Sequence, residues 1–148
     1  MASAAAAESV VFLDPWRLRR HEEHDADHAR ALRERMFCQG RWTAPLIVER
    51  DELIVMDGHH RLSAAREAGF SLVPCLLADY GTVAVVSRRP EIAVSPQDIR
   101  ERARCGRLYP PKTTRHILPQ ELAGACDIDL DVLCPARAPV IRPAERTR

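Results

Sequence analysis

A chain of 148 residues is the length of one domain with room for a core, and 46% hydrophobic against 29% charged residues is globular rather than disordered composition. A net charge of +1 supplies no basic excess for tracking a phosphate backbone, so nucleic acid is not an expected partner, although Arg17-Leu18-Arg19-Arg20 and residues 100–107 are locally arginine-rich. No apolar run reaches the roughly 18 residues that a membrane span needs, and Met1 to Glu8 lacks the basic and apolar regions of a signal peptide. Cys38, Cys75, Cys105, Cys126 and Cys134 are widely spaced without a Cys-x2-Cys pair, which points to free thiols and a cytoplasmic protein rather than to structural zinc.

Residues 1–9 read as a disordered tail. Val10-Val11-Phe12-Leu13 predicts a first strand, closed by Asp14-Pro15. A helix is expected from about Asp25 to Cys38, where Ala29, Leu32, Arg33 and Met36 recur at helical spacing, with Gly40 ending it. Pro45 to Val48 and Leu53 to Met56 predict two strands joined as a hairpin through the Arg50-Asp51 turn. Asp57-Gly58 breaks the second strand, and a helix follows from about His60 to Ala68, with Leu62 and Ala65 facing inward and Gly69 as its C-cap. Further strands are expected at Ser71 to Leu77 and Thr82 to Val86. The stretch from Met56 to Leu72 has the length of a minimal parallel crossover, and Ala64, Ala65 and Ala68 would let its helix sit close on a sheet. Ser95-Pro96-Gln97-Asp98 is a helix start, with serine at the N-cap, proline at the first helical position and an acid in the first turn; Gly106 should end that helix. Pro110 and Pro111 keep residues 108–116 extended. Beyond Leu118 a short helix at Gln120 to Ala125 is suggested, Asp127 to Leu133 is ambiguous, and 136–148 reads as a loose tail. The order of elements predicts an α/β (α+β) domain.

Three segments carry chemistry. At Asp57-Gly58-His59-His60-Arg61 a tight turn leads into a helix start, where free backbone N–H groups and the helix dipole favour an anion. Arg61 adds a fork suited to phosphate, the histidines can donate or accept, and Asp57 can hold a divalent cation or act as a base. A plain structural turn is the alternative. At 21–28, His21, Glu22, Glu23, His24, Asp25, Asp27 and His28 crowd together; if the stretch were helical, His21, His24 and His28 would share a face and could bind metal, although it lacks the His-Glu-x-x-His order. A polar helix start is the alternative there. Lys112-Thr113-Thr114-Arg115-His116, stiffened by the two prolines before it, can cradle phosphate or carboxylate but lacks the glycines of a P-loop.

The stretch from Leu13 to Asp79, with Asp57-Gly58-His59-His60-Arg61 and Val73-Pro74, resembles the ParB/sulfiredoxin superfamily, whose members bind nucleotide phosphates at this turn. Sulfiredoxins place their catalytic cysteine where this chain has His59, so sulfinic acid reduction is not expected. Leu18-Arg19-Arg20-His21-Glu22, the 57–61 turn and Lys112-Thr113-Thr114-Arg115-His116 together resemble the free L-serine kinases, both the archaeal ADP-dependent and the siderophore-cluster type. The resemblance implies a compact ParB/sulfiredoxin-like domain over 10–118, with a mixed sheet, packed helices and a substrate-binding segment at 95–118; 119–148 is an extension of unread role. It implies Glu22 as the base for the serine hydroxyl and Asp57 as a second catalytic acid and Mg²⁺ ligand. Gly58, His59, His60 and Arg61 would hold the phosphates of ATP or ADP, Lys112, Thr113 and Thr114 would assist, and Arg115 and His116 would bind free L-serine. The archaeal kinases carry extra material before their Lys-x-Thr-Arg-His segment, which this chain lacks. A ParB-like sensor of nucleotide or phosphoserine, and a metal-dependent nuclease using the 21–28 cluster, are the other readings.

Overall fold

The computed structural model describes residues 9–122 and 124–135, so the expected tails at 1–9 and 136–148 lie outside the described residues except for Ser9. In chain order the elements are β1 (Val11–Leu13), α1 (Ala26–Gln39), β2 (Arg41–Trp42), β3 (Leu46–Glu49), β4 (Val55–Asp57), α2 (His59–Ala68), β5 (Val73–Ala78), β6 (Ala84–Ser87), α3 (Pro96–Cys105), β7 (Thr114–Ile117), β8 (Ile128–Asp129) and α4 (Leu130–Leu133). Short 3-10 turns occur at Pro15–Arg17 and at Gln120–Leu122, the latter in place of the longer helix expected to reach Ala125.

The main sheet has the order β1-β5-β3-β4. β3 and β4 form the expected antiparallel hairpin, β5 runs parallel to β3, and β1 lies antiparallel on β5. One expectation needs correcting. β4 and β5 are not neighbours in a parallel crossover; they run in opposite directions with β3 between them, and α2 carries the chain across β3. The segment length was that of a crossover, but it could not reveal that the hairpin partner occupies the intervening slot. Every residue of β3 is buried, as suits a central strand covered on both faces.

Helix termini follow local chemistry. Asp25 caps α1 by accepting from Asp27 N (3.0 Å) and His28 N (3.1 Å), and Ser95 caps α3 by accepting from Asp98 N (3.1 Å). The inward face of α2 is small and apolar: Leu62 and Ala65 are fully buried in the core with Val48, Val55 and Val73. Leu130 and Leu133 enter the same core beside Trp42 and Phe70, and β8 pairs with β2. The ambiguous 127–133 stretch is thus core material; its alternation was too short to read.

Two fasteners aim the remaining chain at the site. Arg66 of α2 donates to the carbonyls of Pro15 (3.2 Å) and Leu18 (2.7 Å), fixing the strand-to-loop path that leads to His21. From α3, Arg104 makes a two-pronged contact with Glu52 (2.8 and 2.7 Å), while the buried Ile99 packs with Ile54 and Tyr109. This docks α3 against the hairpin and returns the chain at Tyr109 to β7, which pairs antiparallel with β6.

Candidate functional site

Residues 19–23 thread between two other segments. Arg19 exchanges backbone hydrogen bonds with Leu53 and Val55 on one side (2.8 and 2.9 Å), and His21 and Glu23 do so with Tyr109 on the other (2.9 and 2.8 Å). Glu22 is therefore held by backbone on both flanks. Its carboxylate meets the turn after Pro111 head-on: Oε2 accepts from Lys112 N (2.8 Å), and Oε1 accepts from Thr114 N (2.8 Å), Thr113 N (3.3 Å) and Thr114 Oγ1 (2.7 Å). Lys112 adopts φ +60° there, a left-handed conformation that turns successive N–H groups toward one anion. Oε1 is saturated, while Oε2 accepts one bond and keeps a lone pair.

Behind Glu22 lies a cluster of buried imidazoles. Because the Thr114 hydroxyl spends its proton on Glu22, His21 Nε2 must donate to Thr114 Oγ1 (3.0 Å), which assigns the proton of neutral His21 to Nε2. The His21 ring meets His59 edge-on at 4.5 Å and His116 at 5.5 Å, and His116 Nε2 is bonded to Tyr80 Oη (2.8 Å). Burial, reinforced by the other histidines, pulls His21 down to about 3 and His59 well below 6.5; burial alone brings His116 to about 4. All three rings are neutral at physiological pH.

The opposite wall is the start of α2. Gly58 sits at its N-cap with φ +109° and no side-chain cap, so the first N–H groups of the helix have no internal partner. A Cβ at Gly58 would collide with Leu46 Cδ2 and crowd Arg61 NH2 at 3.2 Å. Gly58→Ala is accordingly expected to lose about 2 kcal/mol of stability, read by urea unfolding. Among the described residues His59 Nε2 has no hydrogen-bond partner. His60 Nε2 accepts from Asp25 N (3.1 Å), and its ring stacks on His28 at 4.3 Å.

One cavity of about 360 Å³ joins the two walls, lined by Glu22, His28, Met56, Asp57, Gly58, His59, His60, Arg88, Lys112 and Thr114. The three separated motifs thus meet in one place. Within the 57–61 and 112–116 motifs, four residues lie outside that lining. Arg61 folds back to Asp57 (3.4 Å) and lines a second cavity of about 210 Å³ beside α1 and Trp42. Thr113 is buried and gives its hydroxyl to Pro110 O (2.7 Å). Arg115 and His116 alternate on β7, so His116 faces the imidazole cluster and Arg115 lies on the exposed opposite face. The shared histidine face considered at 21–28 does not form, because α1 starts only at Ala26: His21 goes to Thr114, His24 to Ser63 (3.0 Å) and His28 to His60. Reasoning from sequence missed Arg88 and Tyr80 as neighbours of the site, and it considered His28 only for a metal-binding face, whereas His28 lines the cavity.

No family model matches the chain. It is 35% identical to the ATP-dependent L-serine kinase of Staphylothermus marinus over 74 residues, which is 47% of this chain and 29% of that protein. It is 32% identical to a ParB-like protein of Sulfolobus acidocaldarius over 53 residues, 36% of this chain and 27% of that protein. The matches therefore span less than a third of either relative. A solved free serine kinase in complex with AMP superposes with a TM-score of 0.76 at 16% identity, covering 84% of this chain and 93% of that one. SbnI with C-terminal truncation from Staphylococcus aureus superposes with a TM-score of 0.71 at 12% identity, covering 83% and 88%. Among the described residues no helix is long and apolar enough to cross a membrane. The chain has the fold of the solved free serine kinases, a ParB/sulfiredoxin-like α/β domain with a mixed sheet and packed helices.

Proposed function

We propose that this protein is a kinase that transfers a phosphoryl group from ATP or ADP to the hydroxyl of free L-serine, giving O-phospho-L-serine for a biosynthetic pathway in the cytoplasm, where its five free cysteines suit a reducing setting. The observation that carries this reading is the single cavity in which an oriented carboxylate, Glu22, faces an uncapped helix start at Gly58. Sequence similarity to two ATP-dependent L-serine kinases, each over 74 residues, supports it.

Phosphoryl transfer is mostly positioning and charge stabilisation. Glu22 takes the serine proton at Oε2 as the new O–P bond forms, and the bond from phosphorus to the nucleotide's bridging oxygen breaks, releasing the shortened nucleotide. The N–H groups at Gly58, His59 and His60 receive phosphate oxygens, and Lys112 faces them from the Glu22 side of the same cavity. Arg61 would reach the phosphates only by leaving Asp57, and Thr113 acts through the shape of its loop. Thr114 orients Glu22, and His116 acts on the serine side through the cluster beneath it, whereas Arg115, expected there from the sequence, lies on the exposed face of β7 away from the cavity.

The donor set suits magnesium. Asp57 is a half-exposed carboxylate at the cradle, and Mg²⁺ bound to nucleotide asks for one or two carboxylates plus phosphate and water rather than a protein cage. Such an ion would neutralise charge on the transferring group.

The test is direct. Purified protein with L-serine, Mg²⁺ and either ATP or ADP should form phosphoserine in proportion to enzyme, followed by phosphorus NMR. Absence of product with both nucleotides from folded protein would replace this reading by that of a nucleotide-binding regulator.

A further inference from the structure

We infer that Arg88 holds the carboxylate of the acceptor amino acid, and that this contact is what selects a free amino acid; the inference rests on the serine kinase reading. A zwitterionic acceptor whose hydroxyl reaches Glu22 must place its carboxylate on the Glu22 side of the cavity, away from the phosphate wall. Two cations line the cavity, Arg88 and Lys112, both from the Glu22 side.

Backbone geometry fixes Arg88 there. Ser87 pairs with Thr114 across β6 and β7, and Arg88 N donates to Thr113 O (2.7 Å), so Arg88 follows directly beside the turn that grips Glu22. The two arginines of the doublet divide their work. Arg89 gives its guanidinium to the carbonyl of Pro111 (2.7 Å) and so clamps the turn. Among the described residues the guanidinium of Arg88 has neither an ion pair nor a hydrogen bond, although it lies in a cavity that also holds Glu22 and Asp57. A planar fork matches a carboxylate with two parallel bonds, which the ammonium of Lys112 cannot do. Arg115, the other candidate, lies on the exposed face of β7. Substitution of Arg88 leaves its backbone bond in place, and the side chain is exposed at the cavity mouth, so the fold is retained.

The experiment compares the 148-residue protein with its Arg88→Ala, Arg88→Lys and Arg115→Ala variants. Phosphoserine formation gives KM for serine and for nucleotide, ethanolamine serves as an acceptor lacking the carboxylate, and calorimetry reads serine binding directly. The expected result for Arg88→Ala is a rise in serine KM of about 10- to 100-fold with nucleotide KM unchanged, collapse of the preference for serine over ethanolamine, and partial recovery in Arg88→Lys. A wild-type serine KM in Arg88→Ala, or a loss confined to Arg115→Ala, overturns the inference and leaves the kinase standing. A rise in nucleotide KM alone assigns Arg88 to phosphate and equally overturns it. If the wild-type protein neither binds nor phosphorylates serine, the kinase reading falls and the Arg88 assignment with it.

Discussion

Glu22→Gln is expected to reduce phosphoserine formation by about 10²- to 10⁴-fold, the range that removal of a positioned base produces. The substitution is nearly isosteric but changes two things at once. An amide nitrogen cannot take the serine proton. Nor can it accept from Lys112 N, so either that N–H or the three donors at Oε1 would face an N–H group. Loss of a base and loosening of the 112–114 turn must therefore be separated. Nucleotide affinity does this, because the phosphate wall at Gly58 to His60 belongs to a different element and should keep its affinity within about threefold if only the base is lost. Hydrogen exchange at the Lys112 and Thr114 amides reports the turn itself. A glutamine variant with full kinase activity would remove Glu22 from the proton-transfer step.

The legible parts of this site were the locally encoded ones. Asp57-Gly58 breaking an apolar strand and handing over to a helix is written in adjacent residues, and so are the caps Asp25 and Ser95. The grip of Glu22 on Lys112 to Thr114 joins residues 90 to 92 positions apart, and no local rule predicts such a contact. Resemblance to a family, not periodicity, brought those segments together. Treating 108–116 as merely extended also had a cost. Read as a strand, residues 114–117 alternate, which alone parts Thr114 and His116 from Arg115. The Arg88-Arg89 doublet carries no such signal, since only the pairing of β6 with β7 decides which arginine clamps the turn and which faces the cavity.

Acid should unfold this protein through its buried histidines. His21, His59 and His116 ordinarily titrate near 6.5, but in the folded chain burial holds His21 to about 3, His116 to about 4 and His59 well below 6.5. Arg20 and His60 further oppose a charge on His59. The folded pKa lies below the unfolded one, so stability is complete above about pH 6.5 and is lost as pH falls, because the unfolded chain binds protons that the native one refuses. Each such group costs about 1.4 kcal/mol per pH unit, so three together give a slope of about 4 kcal/mol per unit below pH 6. A domain of ordinary stability would then unfold cooperatively at about pH 4–5. Asp25 and Glu52, whose carboxylates are held low by a hydrogen bond from the His28 amide and by Arg104 respectively, act in the same direction but only at lower pH. Urea unfolding at pH 7, 6 and 5 measures the slope, and His116→Asn should flatten it by about a third while leaving the carboxylate contribution intact. Equal stability at pH 7 and pH 5 would mean that all three rings of the cluster take up their protons without unfolding, and the neutral imidazole floor beneath Glu22 would have to be redrawn.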